Sequence, residues 1–174
     1  MSRFVFLDRD GTLVRDRGYV HRLEEYALLP GVAPALRRLA AAGFRLAIVT
    51  NQSGIGRGLF DEAAYRAYEA HLEADLASQG APIAGSFFCP HAPGAGCACR
   101  KPAPGLFLAA RDALGAELGA SFAIGNDARD AEAALAAGCR AALWIAPQRP
   151  ARLPPRALHV TDLAAAVDEI LRLA

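Results

Sequence analysis

The chain has 174 residues, of which 19 are basic and 18 acidic, so its formal net charge is +1. This length, together with a hydrophobic fraction of 53%, predicts a single globular domain over residues 1–174 and excludes a disordered chain. A charge so close to zero argues against a nucleic acid or an anionic membrane as a partner. Apolar runs fall well short of the ~20 residues of a membrane span, and Asp8 comes too early for a signal peptide. We therefore expect a cytoplasmic protein.

Short strand-like runs alternate with longer Ala- and Leu-rich helical runs along the chain. Strands are predicted at residues 4–7, 44–49, 86–88, 122–124 and 141–145. Helices are predicted at residues 32–42, 62–78, 104–114 and 130–137, with a last helix that ends near residue 173. A Pro- and Arg-rich surface loop is expected at residues 147–155.

This alternation of strands and helices predicts an α/β fold, a three-layer, doubly wound parallel sheet with helices on both faces. In such folds the ligand binds beyond the carboxyl ends of the strands. The residues that follow each predicted strand are therefore the candidates for function.

The first strand is followed by Asp8-Arg9-Asp10-Gly11-Thr12. Two carboxylates this close together repel each other unless a cation or a shared proton lies between them. Mg²⁺ meets that need, since it binds one or two carboxylates together with phosphate oxygens of a substrate. An ordinary turn would also use Asp and Gly, so the motif alone leaves both interpretations open.

Polar groups also follow the second and fourth strands. The second is followed by a glycine-rich loop, residues 50–58, whose hydroxyl and N–H groups could bind an anion. The fourth is followed by residues 125–130, where Asn126, Asp127 and Asp130 again place polar oxygens at a strand end. A plain loop explains the first pattern equally well, and a helix cap, with Asp130 as a candidate N-cap, explains the second.

Four potential zinc ligands follow the third strand, and the only lysine comes directly after them. Three thiols and one imidazole within 11 residues give a complete tetrahedral set for a structural zinc ion: Cys89, His91, Cys97 and Cys99. Lys101 is the one Lys among the 19 basic residues, and its ammonium could neutralise a phosphoryl group. Cys139 stands apart and is expected to be a small buried residue.

These motifs resemble those of the haloacid dehalogenase superfamily of phosphatases. The segment at residues 8–12 is similar to the first motif of the superfamily, residues 50–52 to the second, Lys101 to the third and residues 125–130 to the fourth. The runs F-L-D-R-D-G-T-L, D-R-G-Y-V-H and C-P-H…C-x-C-R-K-P are more specific. They resemble the branch that acts on heptose 1,7-bisphosphate, with histidinol-phosphate phosphatases as close relatives. The resemblance implies a Rossmann-like core without a cap domain.

The resemblance also implies a role for each matched residue. Asp8 is expected to be the nucleophile, and Asp10 the general acid and then the general base. Thr50 and Lys101 are expected to hold the phosphoryl oxygens. Substrate contacts, with a small sugar phosphate, are expected from Asp16, Arg17, Gly18, Tyr19, Asn51, Gln52, Ser53 and Arg100.

One position departs from the superfamily pattern, in which an Asp that binds Mg²⁺ follows the glycine of the fourth motif. Here that position is Asn126, and Asp127 comes next. The Mg²⁺ ligands are therefore expected to be Asp8, Asp10 and either Asn126 or Asp127. Two other functions stay open: a zinc-containing binding module, and a catalytically silent relative that only binds phosphate. The protein is expected to act as a monomer.

Overall fold

The computed structural model describes residues 2–174, which form one six-stranded parallel sheet flanked by helices. The strands are β1 (Phe4–Leu7), β2 (Arg45–Asn51), β3 (Ile83–Cys89), β4 (Phe122–Gly125), β5 (Ala141–Ile145) and β6 (Ala157–Val160). The helices are α1 (Val32–Ala41), α2 (Ser53–Gly56), α3 (Glu62–Ser78), α4 (Gly105–Leu114), α5 (Ala128–Ala137) and α6 (Leu163–Leu173). Two short 3₁₀ turns, Leu23–Glu25 and Leu118–Ala120, complete the elements.

The sheet separates two apolar cores, which confirms the predicted three-layer architecture. Along β1, Val5 and Leu7 point to one face and Phe4 and Phe6 to the other, as the two-residue period of a strand requires. The first face packs against α1, α3 and α6, and the second packs against α4 and α5. Both faces are covered, which explains why β1 is apolar throughout.

The strand order β3-β2-β1-β4-β5-β6 places β1 in the middle of the sheet, between β2 and β4. The last residue of β1, Leu7, is aligned with Ile48 of β2 and Ile124 of β4. The chain leaves the sheet centre in opposite directions after β1 and after β3, so a crevice opens beyond the carboxyl end of β1. The segments that follow β1, β2 and β4 therefore begin next to one another.

The predicted elements were right in kind, but β3 differs in extent and two elements, α2 and β6, were not predicted. α2 is a single turn inside the glycine-rich loop expected at residues 50–58. β3 begins at Ile83 rather than at residue 86, because Gly85 and a register irregularity interrupt its apolar pattern without ending the pairing. β6 was not predicted, since its four residues follow a proline-rich segment and pair on one side only, with β5. Cys139 is fully buried, as expected. No helix within residues 2–174 is long and apolar enough to cross a membrane.

Helix α3 begins at a side-chain cap. The Asp61 carboxylate accepts a hydrogen bond of 2.8 Å from the N–H of Ala64, which satisfies one of the free donors of the first turn. The helix then buries Tyr68, Leu72 and Leu76 against the first core. The cap thus fixes the start of the helix that covers one side of the site described below.

We expect Asp61→Ala to lower the free energy of unfolding by about 1 kcal/mol, because the N–H of Ala64 then loses its acceptor. Asp61→Asn keeps an acceptor oxygen and is expected to stay within a few tenths of a kcal/mol of the wild type. Urea unfolding of the three proteins measures the difference. An equal loss in both variants would show that charge, rather than the cap, matters at this position.

Candidate active site

A polar cavity of about 220 Å³ lies at the carboxyl ends of β1, β2 and β4. Ten residues line it: Asp8, Asp10, Asp16, Thr50, Asn51, Lys101, Asn126, Asp127, Arg129 and Asp130. These residues come from each segment that follows one of the central strands and from the segment after the cysteine cluster. The convergence that the strand-end rule predicts is therefore observed.

The ammonium of Lys101 joins these segments. Its Nζ lies 2.8 Å from Oδ1 of Asp8 and 2.6 Å from Oδ1 of Asp130, and it donates to the main-chain carbonyl of Val49 at 2.8 Å. Lys101 is 2% exposed, so these three acceptors take the place of water for all three of its N–H groups. A single buried cation thus ties β1, β2 and the start of α5 together.

Burial and pairing oppose each other in the protonation of this group. Burial by itself lowers the pKa of Lys101, but the carboxylates of Asp8 and Asp130 raise it above its ordinary value. Burial raises the pKa of Asp8 in spite of the opposing effect of Lys101. Burial and the nearby Asp8 charge raise the pKa of Asp130 to about 6. The site therefore holds more negative charge than its own cation neutralises.

Two amide side chains hold the reactive groups in place. Asn51 accepts from the main-chain N–H of Lys101 at 3.0 Å and donates to its carbonyl at 3.1 Å, so it fixes the backbone that carries the ammonium. Gln52 donates to Oδ2 of Asp10 at 2.8 Å and to the hydroxyl of Thr50 at 2.9 Å. Both amides were expected to contact the substrate. The structure shows that their polar atoms bind neighbouring site residues.

The carboxylate of Asp130 lies directly against the backbone at the end of β4. A Cβ at Gly125 would come within 2.3 Å of Oδ2 of Asp130, so only glycine leaves room for this carboxylate. The N-cap of α5 is Asp127, not Asp130 as one prediction had it. Asp130 is the third residue of the helix, and its side chain accepts from the N–H of Asp127 while it pairs with Lys101.

Asn126 and Asp127 lie in different environments. The Asn126 amide is 3.4 Å from the main-chain oxygen of Asp10, and a Cβ at Gly11 would meet this amide at 2.2 Å. Asp127 is occupied by its own helix and by Arg129, which donates to it at 2.8 and 3.0 Å. Asn126 is thus the residue whose side chain lies against the Asp10 main chain.

The donor set of the cavity fits a divalent cation. Four carboxylates are grouped around two buried cations: Lys101 pairs with Asp8 and Asp130, and a second cation, Arg9, pairs with Asp10 and with a buried glutamate on α3. Five carboxylates and two cations, Lys101 and Arg129, line the cavity itself, so negative charge is in excess there and a divalent cation would reduce it. Carboxylate, carbonyl and amide oxygens are also the ligands that Mg²⁺ prefers.

A second compartment of about 320 Å³ adjoins the first and shares Asp10, Asp16, Asn51 and Arg129 with it. Its other lining residues are Gly18, Tyr19, Gln52, Ser53 and Arg100. Most of the expected substrate contacts therefore line one cleft. Arg17 is exposed and is not among the residues that line either compartment.

The sequence interpretation missed three charged residues of this region. Arg129 lines both compartments and is oriented by Asp127. Arg9 and Glu69 are 1% and 4% exposed and form an ion pair behind Asp10. The position of Arg9 between two aspartates could have drawn attention to it. No sequence pattern indicates that its partner, Glu69, comes from a helix 60 residues away.

The cysteine cluster has the geometry of a zinc site. The ligand atoms of Cys89, His91, Cys97 and Cys99 all lie within 4.8 Å of one another. The sulfur atoms of Cys89 and Cys97 are 3.7 Å apart, and two thiolates on one tetrahedral zinc ion are separated by ~3.8 Å. The Nδ1 atom of His91 is 3.5 Å from the first sulfur and 3.2 Å from that of Cys99.

The segment that carries these ligands is packed against the active site. The N–H of Gly56, at the end of α2, donates to the carbonyl of Pro90 at 2.7 Å, and the N–H of Gly105 donates to the carbonyl of Ala98 at 3.1 Å. Arg100 and Lys101 follow Cys99 directly. A metal ion held by this cluster would therefore order the backbone that presents both cations to the cleft.

We expect Cys99→Ser to lose most of its bound zinc and to lower the melting temperature, because three ligands no longer close a tetrahedral site. Elemental analysis of the purified protein and a thermal scan measure both effects. Cys139→Ser is the matched control: this thiol is buried in the second core, so its loss should affect stability and leave the zinc content unchanged. Equal zinc contents in both variants would contradict the assignment of the cluster.

Residues 6–138 match the family model of the haloacid dehalogenase-like hydrolases. The chain is 39% identical to the D-glycero-beta-D-manno-heptose-1,7-bisphosphate 7-phosphatase of Escherichia coli O6:H1, over 91% of this chain and 86% of the relative. It is 36% identical to the enzyme of that name from Bordetella bronchiseptica, over 98% of both chains.

The solved structures include a similar heptose bisphosphate phosphatase. The crystal structure of D,D-heptose 1,7-bisphosphate phosphatase from B. bronchiseptica, complexed with magnesium and phosphate, has a TM-score of 0.87 and 35% identity over 99% of both chains. The corresponding enzyme from Burkholderia thailandensis has a TM-score of 0.72 and 28% identity, over 98% of this chain and 99% of the other. The chain therefore belongs to the haloacid dehalogenase-like hydrolase family.

Proposed function

We propose that the protein is a Mg²⁺-dependent phosphatase that removes the 7-phosphate of D-glycero-D-manno-heptose 1,7-bisphosphate, in the route to ADP-heptose and the lipopolysaccharide core. The observation that carries the proposal is the contact of Asp8 with Lys101 in a polar cavity where Asp10 also lies. Relatives that cover nearly the whole chain at 36–39% identity carry the name of that activity. Family, cavity and charge arrangement thus support the same reaction.

In the first step an oxygen of the Asp8 carboxylate attacks phosphorus and forms an aspartyl-phosphate. The bond between phosphorus and the sugar oxygen breaks, and that oxygen takes a proton from Asp10 as it leaves. Lys101 and Thr50 stabilise the negative charge of the transferring group. Phosphoryl transfer depends mainly on such positioning and charge neutralisation, because the protein contributes little further covalent chemistry.

In the second step Asp10 takes a proton from water, and the water oxygen attacks the phosphorus of the aspartyl-phosphate. The bond to Asp8 breaks, which releases inorganic phosphate and restores the carboxylate. Asp10 returns to its protonated form, so one residue serves as acid and then as base. Its fixed position between Arg9 and Gln52 suits this double use.

Asp8, the main-chain carbonyl of Asp10 and Asn126 would hold Mg²⁺, which supplies positive charge to the phosphate oxygens when it is bound. Asp127 is the alternative ligand, although its contacts with Arg129 and with the first turn of α5 already occupy it. Zinc at the four-ligand cluster would be structural, because four protein ligands leave no open coordination position.

The second compartment would hold the remainder of the sugar phosphate. Asp16, Tyr19 and Ser53 offer hydrogen-bonding groups to sugar hydroxyls, and Arg100 and Arg129 offer positive charge to an anionic group remote from the reacting phosphate. A substrate with phosphates at both ends of a seven-carbon sugar would use both compartments. This arrangement favours a bisphosphate over the histidinol phosphate that the sequence resemblance left as the alternative.

We also propose that the protein acts as a cytoplasmic monomer without a nucleic-acid or membrane partner. Its four cysteines are free thiols, which suits zinc binding in a reducing compartment. Within residues 2–174, the large apolar side chains that are exposed are Tyr19, Leu23 and Leu59. Three such residues are a small patch for a permanent subunit interface.

We expect the protein to release phosphate from heptose 1,7-bisphosphate in the presence of Mg²⁺, and far more slowly from histidinol phosphate. Asp8→Asn should lower kcat by at least about a thousandfold, because the amide cannot form the covalent intermediate. A phosphate-release assay over sugar and amino-alcohol phosphates measures both.

The control for this experiment is Asp112→Asn, which removes an exposed carboxylate that pairs only with Arg111. Full activity of Asp8→Asn would remove Asp8 as the nucleophile. Faster turnover of histidinol phosphate than of the heptose bisphosphate would reassign the substrate. Phosphate binding without hydrolysis of any substrate would identify the chain as a silent relative.

We expect Asn126→Asp to lower the Mg²⁺ concentration required for half-maximal activity by about fivefold, since an added carboxylate contributes on the order of 1 kcal/mol of attraction. Asp127→Asn should leave this requirement nearly unchanged. Titration of activity with Mg²⁺ compares the two variants. The opposite result, with Asp127→Asn raising the requirement and Asn126→Asp without effect, would identify Asp127 as the ligand.

A further inference from the structure

Arg9 stands between the two aspartates of the first motif, yet its side chain lies in the protein interior. It is 1% exposed and is one of the largest fully buried side chains. A buried guanidinium is costly unless its donors are paired, so its surroundings must supply acceptors. Arg9 makes no direct contact with a substrate in the proposed reaction, because its side chain does not line either compartment of the cleft.

The guanidinium is bound on two sides. Toward the cleft, Nη2 and Nε donate to Oδ1 of Asp10 at 2.9 and 3.1 Å, and Nη2 also donates to the Val20 carbonyl at 2.8 Å and to Oε1 of Gln52 at 3.2 Å. Away from the cleft, Nη1 donates to Oε2 of Glu69 on α3 at 3.4 Å. Arg9 therefore bridges the Asp10 carboxylate and the helix behind it.

Aromatic rings complete the enclosure of Arg9. The guanidinium carbon lies 4.8 Å from the ring centre of Tyr68 and 5.6 Å from that of Tyr65, both on α3. Rings at this distance attract the cation and limit the space in which its fork can rotate. Since α3 supplies Glu69 and both rings, the position of Arg9 follows the position of this helix.

Of Arg9, Asp10 and Glu69, Asp10 alone lines the cleft. Its side chain is 22% exposed and lines both compartments, while Arg9 and Glu69 lie behind it. Arg9 donates to both carboxylate oxygens, to Oδ1 at 2.9 Å and to Oδ2 at 3.2 Å, and Gln52 also donates to Oδ2 at 2.8 Å. A carboxylate fixed through both oxygens presents the same geometry to the leaving oxygen and later to water.

We propose that Arg9, anchored by Glu69, is a positioning residue that fixes the general acid Asp10. The inference rests on the proposed function, because it assigns Asp10 the proton transfer to the leaving group. The competing explanation is an ion pair that only stabilises the fold. The two explanations predict different effects of a variant on two substrates. A sugar oxygen needs a proton as it leaves, whereas p-nitrophenolate leaves without one, so loss of a positioned acid slows only the reaction with the sugar phosphate in the first step.

The test is the double variant Arg9→Met/Glu69→Leu. It replaces the buried Arg9–Glu69 pair by apolar side chains of similar size, an exchange that folds tolerate well, while Asp10 is 22% exposed and keeps Gln52 as a donor. We expect kcat/KM for the heptose bisphosphate, which reports only the steps up to formation of the aspartyl-phosphate, to fall by about 100-fold, since a misplaced acid loses that much of its effect. The kcat/KM for p-nitrophenyl phosphate, whose leaving group needs no acid in that step, should stay within about threefold of the wild type.

Three further variants sharpen the test. Glu73→Gln changes another acidic residue of α3, one that accepts a hydrogen bond from Ser86 and does not contact Arg9. This variant should keep wild-type activity toward both the heptose bisphosphate and p-nitrophenyl phosphate. Arg9→Lys keeps the positive charge but not the planar guanidinium with its several donors. This variant should retain more activity toward the heptose bisphosphate than the double variant does. In an Asp10→Asn background, the double variant should cause no further loss, because the residue that it positions is no longer an acid.

A parallel loss of kcat/KM on both substrates, or no loss on either, would overturn the positioning role. Crystal structures of the double variant and of Glu73→Gln give a readout that does not depend on activity. The carboxylate of Asp10 should leave its wild-type position in the first and keep it in the second. If the wild type hydrolyses neither substrate, the proposed function fails, and the position of Asp10 in the crystals still decides the inference.

Discussion

The contact on which the rest of the site depends is the buried ammonium of Lys101 between the carboxylates of Asp8 and Asp130. Its three N–H groups find three acceptors, two carboxylates and the carbonyl of Val49, in a space from which water is excluded. A planar Arg fork could not point to three acceptors around one atom. This geometry explains why a chain with 18 arginines has its single Lys here.

Much of the surrounding structure serves to hold that ammonium. Burying a cation next to two carboxylates is favourable only when the geometry is fixed, since misplaced charges in a low-dielectric interior are costly. Asn51 fixes the Lys101 backbone from β2, and the cysteine cluster fixes the same segment from the other direction. A structural metal beside the buried Lys101 cation would thus have a physical role, since it would reduce the conformational freedom of residues 90–99, which form no helix or strand.

The sequence predicted the layers, the central strand and the groups that meet at its end, because strand periodicity and the residues after each strand are local signals. These local signals pointed to four residues of the cavity: Asp8, Thr50, Lys101 and Asp127. They do not reveal contacts between elements that are distant in sequence. The burial of Arg9 depends on Glu69, which a helical pattern would leave as an ordinary surface charge, and β6 is recognisable only by its pairing with β5. The sequence placed the amides of Asn51 and Gln52 at the cleft, but only the structure shows which residues they bind.

The charge arrangement also accounts for an amide at the fourth motif. Lys101 and Arg9 each bridge two carboxylates, and the carboxylates that line the cavity still outnumber its cations, Lys101 and Arg129. A further carboxylate at position 126 would add to this excess beside the Asp10 main chain, and so would strengthen metal binding while it destabilises the metal-free protein. The neutral oxygen of Asn126 completes a ligand set without that repulsion. The departure from the family pattern is therefore compatible with a magnesium site, because the carboxylates already present supply the negative charge that attracts a divalent ion.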